Sequence, residues 1–162
     1  LCIISGGNTP KDIYKIISTK NSIKSNRKII LADDRIVNNE SELSNYGMLN
    51  KYLKIDFQEG FPISYFDLIN SRGELFLEKK LKKILNNNII KAAFLGIGAD
   101  GHTASLFPNK AKFDSDVSSF KLKNETDDFY RYTLSYKYLM KSNKIIFIVV
   151  GSKKKQNFIR LF

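Results

Sequence analysis

Asp100 and His102 are the residues of this chain best suited to acid–base chemistry, and His102 is its one histidine. Imidazole is the side chain whose ordinary pKa lets it take up a proton near neutral pH. Both residues sit in a stretch punctuated by Gly96, Gly98 and Gly101, which follows the apolar run Ala92 to Leu95. Glycines let a backbone take positive φ and approach a ligand closely. A strand ending in such a loop, with an acid and a histidine on it, has the makings of a catalytic edge. The plainer reading is a tight strand-to-helix connection whose histidine is exposed by chance. The loop alone leaves both open.

Other turns must be brought beside it. Ser5-Gly6-Gly7-Asn8-Thr9-Pro10 lies between the apolar run Leu1 to Ile4 and a helical pattern reaching Thr19, with Ile13, Tyr14, Ile16 and Ile17 apolar. Thr9 suits an N-cap, Pro10 a first helical position, and Asp12 resembles a capping-box acid. Glycines there would aim free N–H groups and the positive helix end at one spot, a cradle for phosphate or hydroxyl. Lys28 to Ala32 reads as a second strand, ending in Asp33-Asp34-Arg35. Arg35 has the planar fork that grips a phosphate, or could pair with Asp33 or Asp34.

The rest of the pattern supplies the frame. Ser41 is expected to cap a helix to Leu53, Lys54 to Arg72 to wrap the surface, and Glu74 to Leu85 to form an amphipathic helix. Its stripe is Leu77, Leu81, Ile84 and Leu85, with a Glu78–Lys82 pair on the wet side. A short helix is expected from Thr103 or Ala104, a polar excursion over 109–128, a strand over Arg131 to Ser135 and a short helix from Tyr136 to Met140. Ile145 to Val150 reads as a strand buried on both faces, ending at Gly151-Ser152-Lys153-Lys154, where another helix starts. Strands alternating with helices argue for an α/β fold: a doubly wound, mostly parallel, Rossmann-like sheet flanked by helices, in one domain over residues 1–162. The Gly6, Asp33, Asp100 and Gly151 turns then fall at strand C-terminal ends, while Arg131 opens its own strand and needs a loop to bring it near.

Composition narrows the function classes. A hydrophobic share of 43% excludes a disordered chain. The longest wholly apolar run, Ile145 to Val150, is far too short to cross a bilayer, and no signal-peptide pattern is present, so no membrane partner is expected. Cys2 is a lone cysteine in an apolar strand, which points to a cytoplasmic protein without an internal disulfide. The balance of 27 basic to 16 acidic residues, net +11, is spread along helical faces rather than gathered in a stripe. That favours attraction for a small anion over nucleic acid.

The blocks together resemble a known family. Gly96-Ile97-Gly98-Ala99-Asp100-Gly101-His102-Thr103-Ala104-Ser105-Leu106-Phe107-Pro108 is similar to the 6-phosphogluconolactonase signature G-x-G-x-D-G-H-x-A-S-L-F-P. Ser5 to Pro10 resembles its S-G-G-[SN]-T-P loop, Asp33 to Val37 with Ser44-Asn45 its D-E-R-x-V…S-N block, Arg131 to Ser135 its R-I-T-L-[ST], and Gly151 to Lys154 its G-x-x-K. The related glucosamine-6-phosphate deaminases share the D-G-H element but continue differently after the histidine.

The resemblance implies the fold of the glucosamine-6-phosphate deaminase/6-phosphogluconolactonase group and hydrolysis of 6-phospho-D-glucono-1,5-lactone to 6-phospho-D-gluconate, the second step of the oxidative pentose phosphate pathway. It implies no metal and no organic cofactor, and a monomer is favoured. His102 would be the general base that activates water, and Asp100 would position or polarise it. Gly6, Gly7, Asn8 and Thr9 would line the sugar and phosphate site, with Arg35, Arg131 and Lys154 as phosphate-gripping cations. Asp34, Gly101 and Ser105 complete the substrate-binding set. Asp34 stands where the family has Glu, the tryptophan often found before that block is missing, and the chain is expected to be truncated at both ends. The alternatives are a glucosamine-6-phosphate deaminase/isomerase and, from another class, an inactive phosphosugar- or nucleic-acid-binding module.

Overall fold

A computed structural model describes residues 1–19, 28–53, 61–108 and 118–151, apart from the side chain of Asn8. Two sheets form its centre. Strands β1 (Cys2–Ile4), β2 (Ile29–Leu31), β4 (Ala92–Gly96) and β7 (Ile145–Ile148) make a parallel sheet in the order β2-β1-β4-β7. Strands β3 (Asp33–Arg35), β5 (Ser119–Leu122) and β6 (Arg131–Leu134) make an antiparallel one in the order β3-β6-β5.

The chain changes sheet at Ala32. Its N–H donates to Ile4 O in the first sheet, and its carbonyl accepts from Leu134 N in the second, both at 2.8 Å. Ala32 is wholly buried and has no bulk to keep the sheets apart. The strand expected over Arg131 to Ser135 therefore exists, but belongs to a sheet that the alternating pattern did not announce. β5 likewise lies within the stretch read as an irregular excursion. Its pairing with β6 is non-local and leaves no periodic mark in four residues.

Helices α1 (Asn8–Thr19), α2 (Asn45–Tyr52), α3 (Tyr65–Arg72), α4 (Glu74–Asn86) and α5 (Tyr136–Leu139) complete the described fold. α4 buries Leu77, Leu81 and Leu85 as its spacing requires. Glu78, however, turns its carboxylate to Ser118, accepting from its hydroxyl at 3.0 Å, rather than to Lys82. α3 replaces the expected surface wrap. Ser64 caps it through Asp67 N, and Tyr65 is fully buried, its hydroxyl donating to Leu31 O at 2.5 Å and its ring set edge-on to Tyr132. Helix α2 is capped by Ser44, three residues later than expected from Ser41.

β7 departs furthest from expectation. It closes one edge of the described sheet, and Ile146, Phe147 and Val150 are exposed rather than buried. A strand has both faces covered only where layers lie on each side of it. The helix expected from Gly151 onward lies outside the described residues. Among the described residues no helix is long and apolar enough to cross a membrane.

Candidate active site

The loop after β4 is folded back on itself by its own backbone. Gly98 N donates to His102 O at 2.8 Å, and Gly101 N to Gly98 O at 3.2 Å, with Gly101 at φ +87°. A Cβ at Gly98 would run into the His102 ring and the Asp100 carboxylate, so any larger residue there would have to displace the pair. The helix expected from Thr103 or Ala104 does not form. Ala104 takes φ +51°, Thr103 bridges Leu106, and the Thr103 hydroxyl donates to Gly96 O at 3.0 Å. This side-chain bond to the strand end offers the backbone an alternative to a first helical turn.

That fold puts His102 Nδ1 2.5 Å from Asp100 Oδ1, with His102 N donating to the same oxygen at 3.3 Å. Partial burial alone would raise the Asp100 carboxyl. The hydrogen bonds from the His102 ring and backbone, and the ring's charge, outweigh it and hold the carboxyl below the ordinary carboxylate range. Phe107 lies against the other side of the ring, 4.8 Å between centroids.

A cavity of about 250 Å³ opens beside the ring, and Gly6, Gly7, Thr9, Arg35, His102 and Arg131 all line it. Six of the positions singled out in the sequence thus converge. Gly7 takes φ +86°, and a Cβ at Gly6 would collide with the Asn45 side chain, so the glycine turn is pressed onto α2. Arg131 reaches the cavity from the start of β6. Its Nε donates to Asp127 Oδ2 at 2.6 Å, and its guanidinium lies 5.2 Å from the centre of the Phe129 ring and 5.6 Å from that of Phe107. Arg35 does not pair with the neighbouring aspartates. Its Nη1 donates to Leu43 O at 2.9 Å and Asn45 Oδ1 at 2.8 Å, while its buried Nε has no acceptor.

Two expected contacts lie elsewhere. Asp34 is fully buried and outside the cavity; its carboxylate accepts from Asn45 N at 2.7 Å, Tyr46 N at 3.2 Å and Arg35 N at 2.8 Å. Together with the Ser44 hydroxyl on Gly47 N, it satisfies the first N–H groups of α2. Burial pushes Asp34 up to about 7; the backbone bonds, that of Asn45 foremost, pull down, and the Asp33 charge pushes up. Ser105 is buried too, its hydroxyl donating to Asp33 Oδ2 at 2.6 Å and its N–H reaching the Thr133 hydroxyl at 3.3 Å. It ties the histidine loop to β3 and β6, two of the three strands of the second sheet. Lys154 and the side chain of Asn8 lie outside the described residues.

Asp33 and Asn45 line the cavity although the sequence did not single them out for it. The signal was there in part. Alternate residues of a strand share a face, so an Arg35 that reaches the cavity brings Asp33 with it and sends Asp34 to the back. Asn45 was marked only as part of the S-N pair that the resemblance includes; its role follows from how α2 meets the glycine turn. Its Nδ2 donates to Asp33 O at 3.0 Å while its Oδ1 holds Arg35. Among the described residues no group of three or more His, Cys, Asp or Glu side chains is placed to hold a metal ion.

Comparison with known proteins adds to this geometry. A family model described as glucosamine-6-phosphate isomerases/6-phosphogluconolactonase matches residues 2–162. The 6-phosphogluconolactonase of Aggregatibacter actinomycetemcomitans is 29% identical over 160 residues, covering 93% of this chain and 68% of that protein. A Dictyostelium discoideum protein named "Probable 6-phosphogluconolactonase" is 30% identical over 164 residues, covering 94% and 69%. The crystal structure of 6-phosphogluconolactonase from Thermotoga maritima superposes with a TM-score of 0.85 at 24% identity, over 99% of this chain and 74% of that one, and so shares the fold.

Proposed function

The chain belongs to the glucosamine-6-phosphate isomerase/6-phosphogluconolactonase family, and on that footing we propose that it hydrolyses 6-phospho-D-glucono-1,5-lactone to 6-phospho-D-gluconate. The observation that carries the reading is His102, held by Asp100 and lining a cavity that two arginines and a glycine turn also line. The Asp100 carboxylate accepts from Nδ1–H and thereby selects the tautomer with a lone pair on Nε2. That nitrogen takes a proton from water as the oxygen attacks the lactone carbonyl. The resulting oxyanion sits against the first N–H groups of α1, beyond Gly6 and Gly7. Collapse of the tetrahedral carbon expels the ring oxygen, which leaves as a hydroxyl after taking a proton, and the ring opens to the acid.

The phosphate is the handle. Arg131, braced by Asp127, and Arg35 offer it fixed cations, and Lys154 is a third candidate. Binding energy taken from this remote group orients the carbonyl against the base. The same reading makes the protein a cytoplasmic enzyme that needs neither metal nor organic cofactor and whose positive charge serves a small anion rather than nucleic acid.

The test is a coupled assay with freshly generated lactone, corrected for spontaneous hydrolysis, run beside an assay for ammonia release from glucosamine 6-phosphate. Lactone opening above background without ammonia is expected. Ammonia release without lactone opening would transfer the chain to the deaminase branch, and neither activity would leave only phosphosugar binding.

A further inference from the structure

A second cavity, of about 490 Å³, adjoins the first and shares Gly7, Arg35 and Asn45 with it. Neither Asp100 nor His102 reaches it. Where α1 and α2 meet, Lys11, Lys15 and Lys51 bring their ammonium groups to 4.8, 5.0 and 5.6 Å from the centre of one ring, that of Tyr52. Lys11, Lys51 and Tyr52 line the cavity.

Three ammonium groups around one ring repel one another, and the ring face compensates each only weakly at an exposed site. A hydrogen bond from Lys11, with the charges of all three lysines, holds the Tyr52 phenol below its ordinary range against the modest effect of burial. Asp12 engages Lys15 at 3.2 Å. Lys11 and Lys51 have no carboxylate partner among the described residues. The carboxylates lining the cavity, Glu40 and Glu42, precede α2, whereas Lys51 and Tyr52 are at its far end. The charge within this cavity is therefore divided: acidic at one end of α2, strongly basic at the other.

We infer that this cavity is a second binding site, for a small molecule that carries a phosphate group. The phosphate lies against Lys11, Lys51 and Tyr52, and the organic part occupies the remaining volume, which is in the range of small-molecule sites. Lysines meet a phosphate as point charges and do not require the fork geometry an arginine imposes. The inference stands apart from the reaction assigned above, since Lys11, Lys51 and Tyr52 take no part in it, although the cavity shares Gly7 and Arg35 with the site of that reaction.

Titration with pyrophosphate by calorimetry tests it, on the wild-type chain and on three variants. Wild type should show two classes of site. The double variant Lys11→Ala/Lys51→Ala should weaken one class by about tenfold or more, as expected for two lost charge-assisted contacts, and leave the other in place. Arg131→Ala should do the reverse. Lys79→Ala/Lys83→Ala, exposed on α4, removes the same charge at a distance and should change neither class. A single class that depends on Arg131 and ignores Lys11 and Lys51 would overturn the inference. So would equal weakening by both double variants, or no detectable binding that the Lys11/Lys51 change removes.

Discussion

Two carboxylates hold two nitrogens beside the same cavity at nearly the same separation, 2.5 Å for Asp100–His102 and 2.6 Å for Asp127–Arg131. Their surroundings separate them. The side chains of His102 and Asp100 are 31% and 55% exposed, on a loop shaped by glycines; those of Arg131 and Asp127 are 12% exposed each. The open pair lets water approach and a proton leave. The enclosed pair holds a permanent charge between Phe107 and Phe129, where solvent screens it little. Phe107 touches both, so one stiff ring sets the spacing between the base and the cation. Distance alone would have given the two pairs the same role; burial tells them apart.

The largest effect should come from the open pair. His102→Asn is expected to lower kcat for lactone opening by about 10²–10⁴, the usual worth of a positioned base. KM and melting temperature should stay near wild type, because the Gly98–His102 backbone bond survives and the ring is partly exposed. Steady-state kinetics with a thermal melt checks this. A rate within a few-fold of wild type would remove the proton-transfer role and, with it, the contrast.

Paired alanine variants at the two carboxylates sharpen it further. Asp127→Ala leaves a largely enclosed guanidinium without its acceptor, so KM should rise about tenfold, with a stability loss of about 1–3 kcal/mol. Asp100→Ala should act mainly on kcat, by less than the loss of His102 itself, with stability little changed. A carboxyl held below its ordinary range contributes stability above that range and loses it only as pH falls through the lowered value. At neutral pH the Asp100 contribution is therefore complete, and the two variants can be compared there. If both variants moved KM alike, the enclosed pair would have no separate function as a clamp.

Much of this arrangement could be read from residue order. The βα turns carry Gly6 and Gly7, the D-G-H loop carries Asp100 and His102, and both landed beside one cavity because strand C-terminal ends gather on one side of a parallel sheet. The second sheet could not be read in the same way. Its strands are three or four residues long and pair across distant parts of the chain, and the switch at Ala32 looks like an ordinary strand continuation. Asp127 was hidden in a polar stretch with no periodicity. For Asp34 the alternation of β3 is the legible signal, since it sends this side chain to the face opposite Arg35.

Asp34 gives the smallest expected effect and serves as the control for both pairs, being a carboxylate held by backbone N–H groups alone. Burial foremost pushes it up to about 7, so the folded chain binds a proton there more readily than the unfolded chain does. Stability from this group is therefore present below the ordinary carboxyl range, near 4, and lost as pH climbs through about 7. The expected slope is negative across that window and at most about 1.4 kcal/mol per pH unit for one proton. Asp34→Asn keeps an oxygen for the α2 N–H groups and cannot titrate. Its denaturation free energy, followed from pH 4 to 8, should lose that slope whatever its absolute value. An unchanged slope would mean that Asp34 is already ionised throughout and that its three backbone donors outweigh its burial. It would then join Asp100 as a carboxylate governed by the N–H groups around it, its complete burial notwithstanding.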